Sequence, residues 1–205
     1  MIYKKSWKYI LHTFEDDDDL CSILPNRYFR LNALKDFGIV KKGDVGGLVY
    51  GYHNLSQSGD CWIYDDAFVI EQAQVSGNAK ISDRAIISGS AIVSENVNIF
   101  GDAIITNKAK ISGNVEISGN PYIRDNAVIS GNAKIKDRVH IFGNARVYDN
   151  AIIQGNAKIQ GNAQVYENAR IEGKTVIDAY SEIFGDVILS KGRRYRNLSI
   201  SKNND

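Results

Sequence analysis

Side chains able to do acid–base, nucleophilic or metal chemistry are sparse in this 205-residue sequence. It holds three histidines, His12, His53 and His140, and two cysteines, Cys21 and Cys61. A histidine with an ordinary pKa of about 6.5 can serve as a general base at neutral pH. Of the three, only His140 lies in the long regular part of the chain. A catalytic zinc needs several converging ligands, and His140 has no companion at a ligand spacing, so no metal is expected. Two unpatterned thiols indicate neither a disulfide framework nor a zinc site. No Gly-rich phosphate loop, Cys/His pair or Ser/His/Asp spacing is present, and no cofactor is expected. The acidic run Glu15 to Asp19 could attract a cation, but a solvated loop is the simpler reading. His140 is therefore the single catalytic candidate, and no catalytic set forms around it.

What must position His140 is a repeat. Counted in sixes from Ile63, an aliphatic residue opens each of 22 consecutive hexads through Leu189: 16 Ile, 5 Val and 1 Leu. Such a period excludes an amphipathic α-helix, whose apolar residues recur every three or four. β-Branched openings suit a pleated, packed surface. Four residues after each opening stands a small residue, Ala in 14 of the first 21 hexads, which fits a crowded corner. Between them lie turn pairs such as Gly77-Asn78 and Asp125-Asn126, whose residues tolerate positive φ. Each hexad thus reads as a short strand plus a turn, pairing with the strand one coil away. Asn78, Asn96, Asn114, Asn132, Asn150 and Asn168 recur every 18 residues. On stacked coils they would form an amide ladder, read as structural rather than as a binding edge.

The pattern I-S-G-N-A-K, as in Ile129 to Lys134, resembles the hexapeptide repeat of left-handed parallel β-helix proteins. The resemblance implies an all-β, triangular solenoid with 18 residues per coil. It also implies an acyltransferase-like possibility: such enzymes use a histidine base and a loop bulging from a coil, with acyl-CoA bound between subunits of a trimer. His140 would be the base here, but residues 63–189 carry no inserted loop. Zinc-dependent members need three histidines, a set that His140 does not complete. The lead-in Leu31-Asn-Ala-Leu-Lys-Asp-Phe-Gly, with Val40 to Val49 and Asn54 to Ala67, resembles that of bacterial and prophage-borne β-helix proteins labelled as transferases. That likeness implies a phage-encoded factor directed at a host component.

The chain divides into a non-repeat segment at 1–38, a degenerate first coil or cap at 39–62, the regular β-helix at 63–189, and a cap with a basic tail at 190–205. Counting back in sixes from Ile63 places the first-coil openings at Ile39, Val45, Gly51 and Gln57. Trp7, Tyr9, Ile10, Leu11 and Phe14 could form one apolar face. The net charge is +1, from 25 basic and 24 acidic residues, which gives no long-range reason to expect nucleic acid or membrane. No uninterrupted apolar stretch follows Lys4 and Lys5, so a cytoplasmic location is expected.

Strand alternation points the residues flanking each opening outward. One face is mainly charged or polar. The face through Val69 and Ile141 carries an apolar set, Phe68, Ile70, Ile86, Ile104, Tyr122 and Phe142. It is covered either by residues 1–38 or by another subunit. The third face runs from a serine ladder, Ser76 to Ser130, into Tyr148, Tyr166 and Phe184, which are candidates for binding. The expectation is a non-catalytic solenoid that binds or assembles, as a dimer or trimer, with a host protein or small ligand as further partner. The alternatives are an acyltransferase using acyl-CoA, and sequestration of a small ligand at a subunit interface.

Overall fold

The computed structural model describes residues 7–13 and 28–201. It is a parallel β-helix, and among the described residues there is no α-helix. From β4 (Trp62–Ile63) to β25 (Ile188–Leu189), each of the 22 hexads supplies one strand of two or three residues. Strands pair in parallel at a register of 18: Ile99 with Ile117, Ile117 with Ile135, Ile135 with Ile153. Three sheets result, one per face, of 11, 8 and 8 strands.

The core is the axis. Every opening from Ile63 to Ile183 is buried to 1% exposure or less. A fully buried Ile or Val contributes about 1.5–3 kcal/mol of transfer free energy before chain entropy. The first corner residue has positive φ in hexad after hexad, for instance Asp65 at 52°, Gly131 at 72° and Asp137 at 61°. Acidic residues there do a second job. Asp83 accepts the N–H of Gly101 one coil on (2.7 Å), Asp137 that of Gly155 (2.8 Å), and Glu167 that of Gly185 (2.8 Å). The corner N–H that the ladder leaves over thus finds an acceptor.

The first coil is present, but in a different frame from the one counted in sixes. β3 (Val45–Val49) pairs Val49 with Val69, and Leu55 bridges to Val75, both at a separation of 20. Val49 and Leu55 are buried, whereas Ile39 and Val45 are 69% and 65% exposed. Two extra residues between Leu55 and Trp62 shift the frame, which Trp62 restores by pairing with Lys80 at 18. β3 lies close because of its glycines. A Cβ on Gly47 would come within 2.5 Å of the Ala67 carbonyl oxygen.

The N-terminal segment closes this end. β1 (Tyr9–Thr13) and β2 (Phe29–Ala33) add antiparallel strands beyond β3. Tyr9 and Leu31 enter the core, the Tyr9 hydroxyl donates to the Leu55 carbonyl, and the Trp62 ring is met edge-on by Phe37 and Tyr9. Trp7, Ile10 and Leu11 are half-buried. Phe14, the acidic run and Cys21 lie outside the described residues.

At the other end, the period does not stop at Leu189. β26 (Arg194–Arg196) pairs Tyr195 with Ile177, still at 18, and β27 (Ser199–Ile200) pairs Ile200 with Ile183 at 17. The stretch expected to be a separate cap is a further coil, one residue short. Its basic character hides the continuation, because Arg193, Arg194 and Arg196 are exposed around the half-buried Tyr195.

Ile117→Asp would set an unpaired charge on the axis and should yield no soluble folded protein. Ile117→Val should fold with a loss of about 0.5–1.5 kcal/mol. Circular dichroism and thermal melting of the two variants check the register.

Candidate functional site

The outward residues form columns, one residue per coil, and each candidate takes its meaning from its column. On the face through Val69, the position before the opening stacks Phe68, Ile86, Ile104, Tyr122, His140 and Lys158. The position after the opening stacks Ile70, Ser88, Thr106, Arg124 and Phe142. The six-residue apolar set is therefore not one stripe. Phe68, Ile86, Ile104 and Tyr122 are contiguous, while Ile70 and Phe142 sit in the neighbouring column with Ser88, Thr106 and Arg124 between them. Ser88 and Thr106 hydrogen-bond each other at 2.9 Å. Ile104 and Tyr122 are 39% and 36% exposed. Among the described residues, the N-terminal segment reaches this column only at Phe68, where the Tyr28 ring stands edge-on at 6.0 Å. Strands β1 and β2 extend the sheet instead of lying across it, which leaves the middle of the column uncovered by them.

His140 ends the apolar column. Its imidazole is half-buried and meets the Tyr122 ring edge-on at 6.1 Å and 85°. It makes no hydrogen bond among the described residues. Burial, then Lys158, then Arg124 hold its pKa below 6.5. The imidazole is thus neutral at pH 7 and able to take a proton. Arg124 lies 4.5 Å from the Phe142 ring centroid and binds both oxygens of Asp125 at 3.0 and 2.9 Å. The Gly143 N–H above all, and Arg124 and Asn107 as well, hold the Asp125 carboxyl below its usual range. A shallow depression beside these residues is lined by Ser90, Asn107, Lys108, Asp125, Asn126 and Asn144, among others. Among the described residues no three His, Cys, Asp or Glu side chains converge to hold a metal ion.

On the third face, the rings of Tyr148 and Tyr166 stack at 4.8 Å and 2°, and those of Tyr166 and Phe184 at 5.1 Å and 4°. The asparagines at 78, 96, 114, 132, 150 and 168 form an unbroken amide ladder at 2.9–3.1 Å, which ends on Asp186 at 2.9 Å. Each amide gives one donor and one acceptor to this ladder. A second ladder, Asn126 to Asn144 to Asn162 at 3.0 Å each, runs along another corner. The same spacing of 18 would have revealed it. No sequence signal points to the third polar cluster. Lys8 is buried, with its ammonium donating to the carbonyls of Cys61 (2.8 Å) and Gly59 (3.2 Å) and its Nζ 3.3 Å from the Cys61 thiol. Burial pushes the Lys8 amine down and the Cys61 thiol up, favouring the neutral form of both. They are 53 residues apart and meet only because β1 closes the first coil.

One comparison with known proteins agrees with this architecture. A family model, the YdcK β-solenoid repeat, matches residues 79–95, 141–155 and 145–162. The chain is a β-solenoid of hexapeptide repeats. It is 36% identical over 66 residues to a protein named "uncharacterized acetyltransferase YdcK" of Escherichia coli strain K12. The match covers 32% of this chain and 20% of that protein. Among solved structures, LpxA of Acinetobacter baumannii aligns over 76% of this chain and 71% of its own, at 14% identity and a TM-score of 0.33.

The His140 environment sets a pH dependence. Its folded pKa lies below that of the unfolded chain, so as pH falls below about 6.5 the unfolded state gains the proton first and stability declines. His140→Gln should flatten this decline. Melting temperatures of both proteins at pH 7.5 and pH 5 measure the difference, and parallel changes would contradict the assigned environment.

Proposed function

We propose that this solenoid is an acyl-transferring enzyme acting as a homo-oligomer, with His140 as general base at the contact between copies. The observation that carries the reading is the half-buried imidazole of His140 at the end of an apolar column, beside Arg124 and Lys158. The printed name of the Escherichia coli relative supports the reaction class. In the proposed step, His140 takes the proton of an acceptor hydroxyl or amine as its lone pair attacks the carbonyl of an acyl-CoA thioester. The carbon–sulfur bond breaks, and the proton passes to the leaving thiolate. The neighbouring cations disfavour protonated His140, which keeps the base free but makes it weak.

The apolar column Phe68, Ile86, Ile104 and Tyr122, whose Ile104 and Tyr122 are exposed among the described residues, supports self-association. Five strands from Phe68 to His140, about 4.8 Å apart, extend over roughly 20 Å. A closed symmetric assembly would use the same column in every copy and would place His140 at the rim of the contact.

A second reading, a non-catalytic binding or assembly module, is favoured by two observations. The His140 imidazole has no hydrogen-bonded partner among the described residues to fix its tautomer, and the coils around it carry no inserted loop.

Thiol release from acetyl-CoA, with amine and hydroxyl acceptors, separates the two. The proposal expects transfer by the wild type and a loss of at least about 100-fold, the low end of general-base catalysis, in His140→Ala. No transfer by the wild type favours the non-catalytic module, and transfer that survives in His140→Ala removes His140 as the base. Replacing Ile86 and Ile104 by Lys should give smaller particles by light scattering with the β-sheet spectrum retained. A wild type already monomeric at tens of micromolar would remove the assembly half of the proposal.

A further inference from the structure

One column of the third face changes character at a single step. Through Ser76, Ser94, Ser112 and Ser130 it carries short hydroxyls, and from Tyr148 it carries rings. Ile129 pairs with Val147, and the Ser130 N–H donates to the Val147 carbonyl at 2.9 Å, so Ser130 stands one coil from Tyr148. One face of the Tyr148 ring is taken by Tyr166. The opposite face, toward Ser130, meets no ring among the described residues. The stack therefore ends in an open ring face above a polar track.

The two flanks of this step differ in charge. The adjacent column on one side holds Lys110, Val128 and Arg146 in register. Lys110 and Arg146 are exposed, and neither forms an ion pair among the described residues. On the other side the corner is shallowly concave, lined by Gly131, Asn132, Asp149 and Glu167 among others. Gly131 keeps that corner bare, since a Cβ there would come within 2.7 Å of the Asp149 nitrogen. The carboxylates are held in place: Asp149 accepts the Glu167 N–H at 3.2 Å and Glu167 that of Gly185 at 2.8 Å.

We propose that the open face of Tyr148 is a stacking platform for a planar heteroaromatic ligand that carries an anionic group, in its simplest form a nucleoside monophosphate. The base continues the ring stack over Ser130 and against Val128, with the serine hydroxyls available to its edge. Arg146 and Lys110 draw the phosphate to their flank, and Asp149 and Glu167 repel it from the other. A base stacked on an aromatic side chain gains roughly five- to 150-fold in affinity, enough to detect and to abolish by one substitution. The site lies on a different face from His140 and stands independently of the acyl-transfer reading.

The test is a titration of the full chain with adenosine monophosphate, adenosine and ribose 5-phosphate, followed by calorimetry and by shifts of the tyrosine ring resonances. The expected order of affinity is the monophosphate, then adenosine, then ribose 5-phosphate. Ser130→Phe adds one ring to the stack, occupies the place of the base and should abolish binding with the melting temperature retained. Tyr148→Ser should weaken adenosine binding by about tenfold or more, and Tyr148→Phe should keep it, because stacking rather than the hydroxyl carries the contact. Arg146→Gln should weaken the monophosphate several-fold and leave adenosine unchanged. The proposal is overturned if neither adenosine compound binds saturably at millimolar concentration, if folded Ser130→Phe binds as the wild type does, or if ribose 5-phosphate binds as tightly as the monophosphate.

Discussion

Each coil satisfies its backbone hydrogen bonds almost wholly on the coils before and after it, and this requirement governs the rest of the molecule. The Ser118 N–H reaches the Ile135 carbonyl, and the Lys136 N–H reaches that of Ile153. A two-residue strand has no other way to pair. One residue inserted within a two-residue strand of a middle coil would shift its register against both neighbours and strand buried N–H and carbonyl groups. The regular coils keep a separation of 18, and departures occur only at the ends: two extra residues before Trp62 and one fewer before Ile200. An end coil has a neighbour on one side only, so it can change length without disturbing a ladder beyond it.

The same constraint turns residue types into columns. Aliphatic openings become a continuous axis, asparagines become an amide ladder, and acidic corner residues become acceptors for the next coil's N–H. A column of one type is structurally self-sufficient, because each side chain has an identical partner above and below. The candidate groups stand where a column changes type. His140 follows Tyr122 and precedes Lys158, and this succession both half-buries the imidazole and places a cation beside it. Tyr148 follows Ser130, and this succession leaves a ring face open. The fold supplies the rigid scaffold, and the breaks in its columns supply the candidate sites.

Much of this was legible in the sequence. The 22 openings, the corner pairs and the amide ladder all follow from one number, the hexad period, and a period can be counted without knowing any tertiary contact. The apolar face was legible as a face but not as a column. Alternation sends the residue before an opening and the residue after it to the same face, so Ile70 and Phe142 were grouped with side chains from which Ser88, Thr106 and Arg124 divide them, although the count from the openings does separate the two columns. Both ends also escaped the count. Val49 and Leu55 fill the first coil in place of Gly51 and Gln57 because burial against Val69 and Val75 selects them. At the far end Tyr195 carries the axis in a basic stretch that composition alone reads as a tail.

By itself, then, the sequence determined the repeating interior of this protein: strand, corner, register and core, all dictated by a local spacing. Tertiary structure decided how that interior is closed and how its candidate groups are tuned. Lys8 and Cys61 meet across 53 residues only because an antiparallel pair of strands caps the first coil. The pKa of His140 is lowered first by burial, then by Lys158 one coil away and by Arg124 in the adjoining column. A period fixes what each coil shares with the next. Burial and charge at one residue depend on how that coil differs from its neighbours, and such differences take effect only when the coils are stacked.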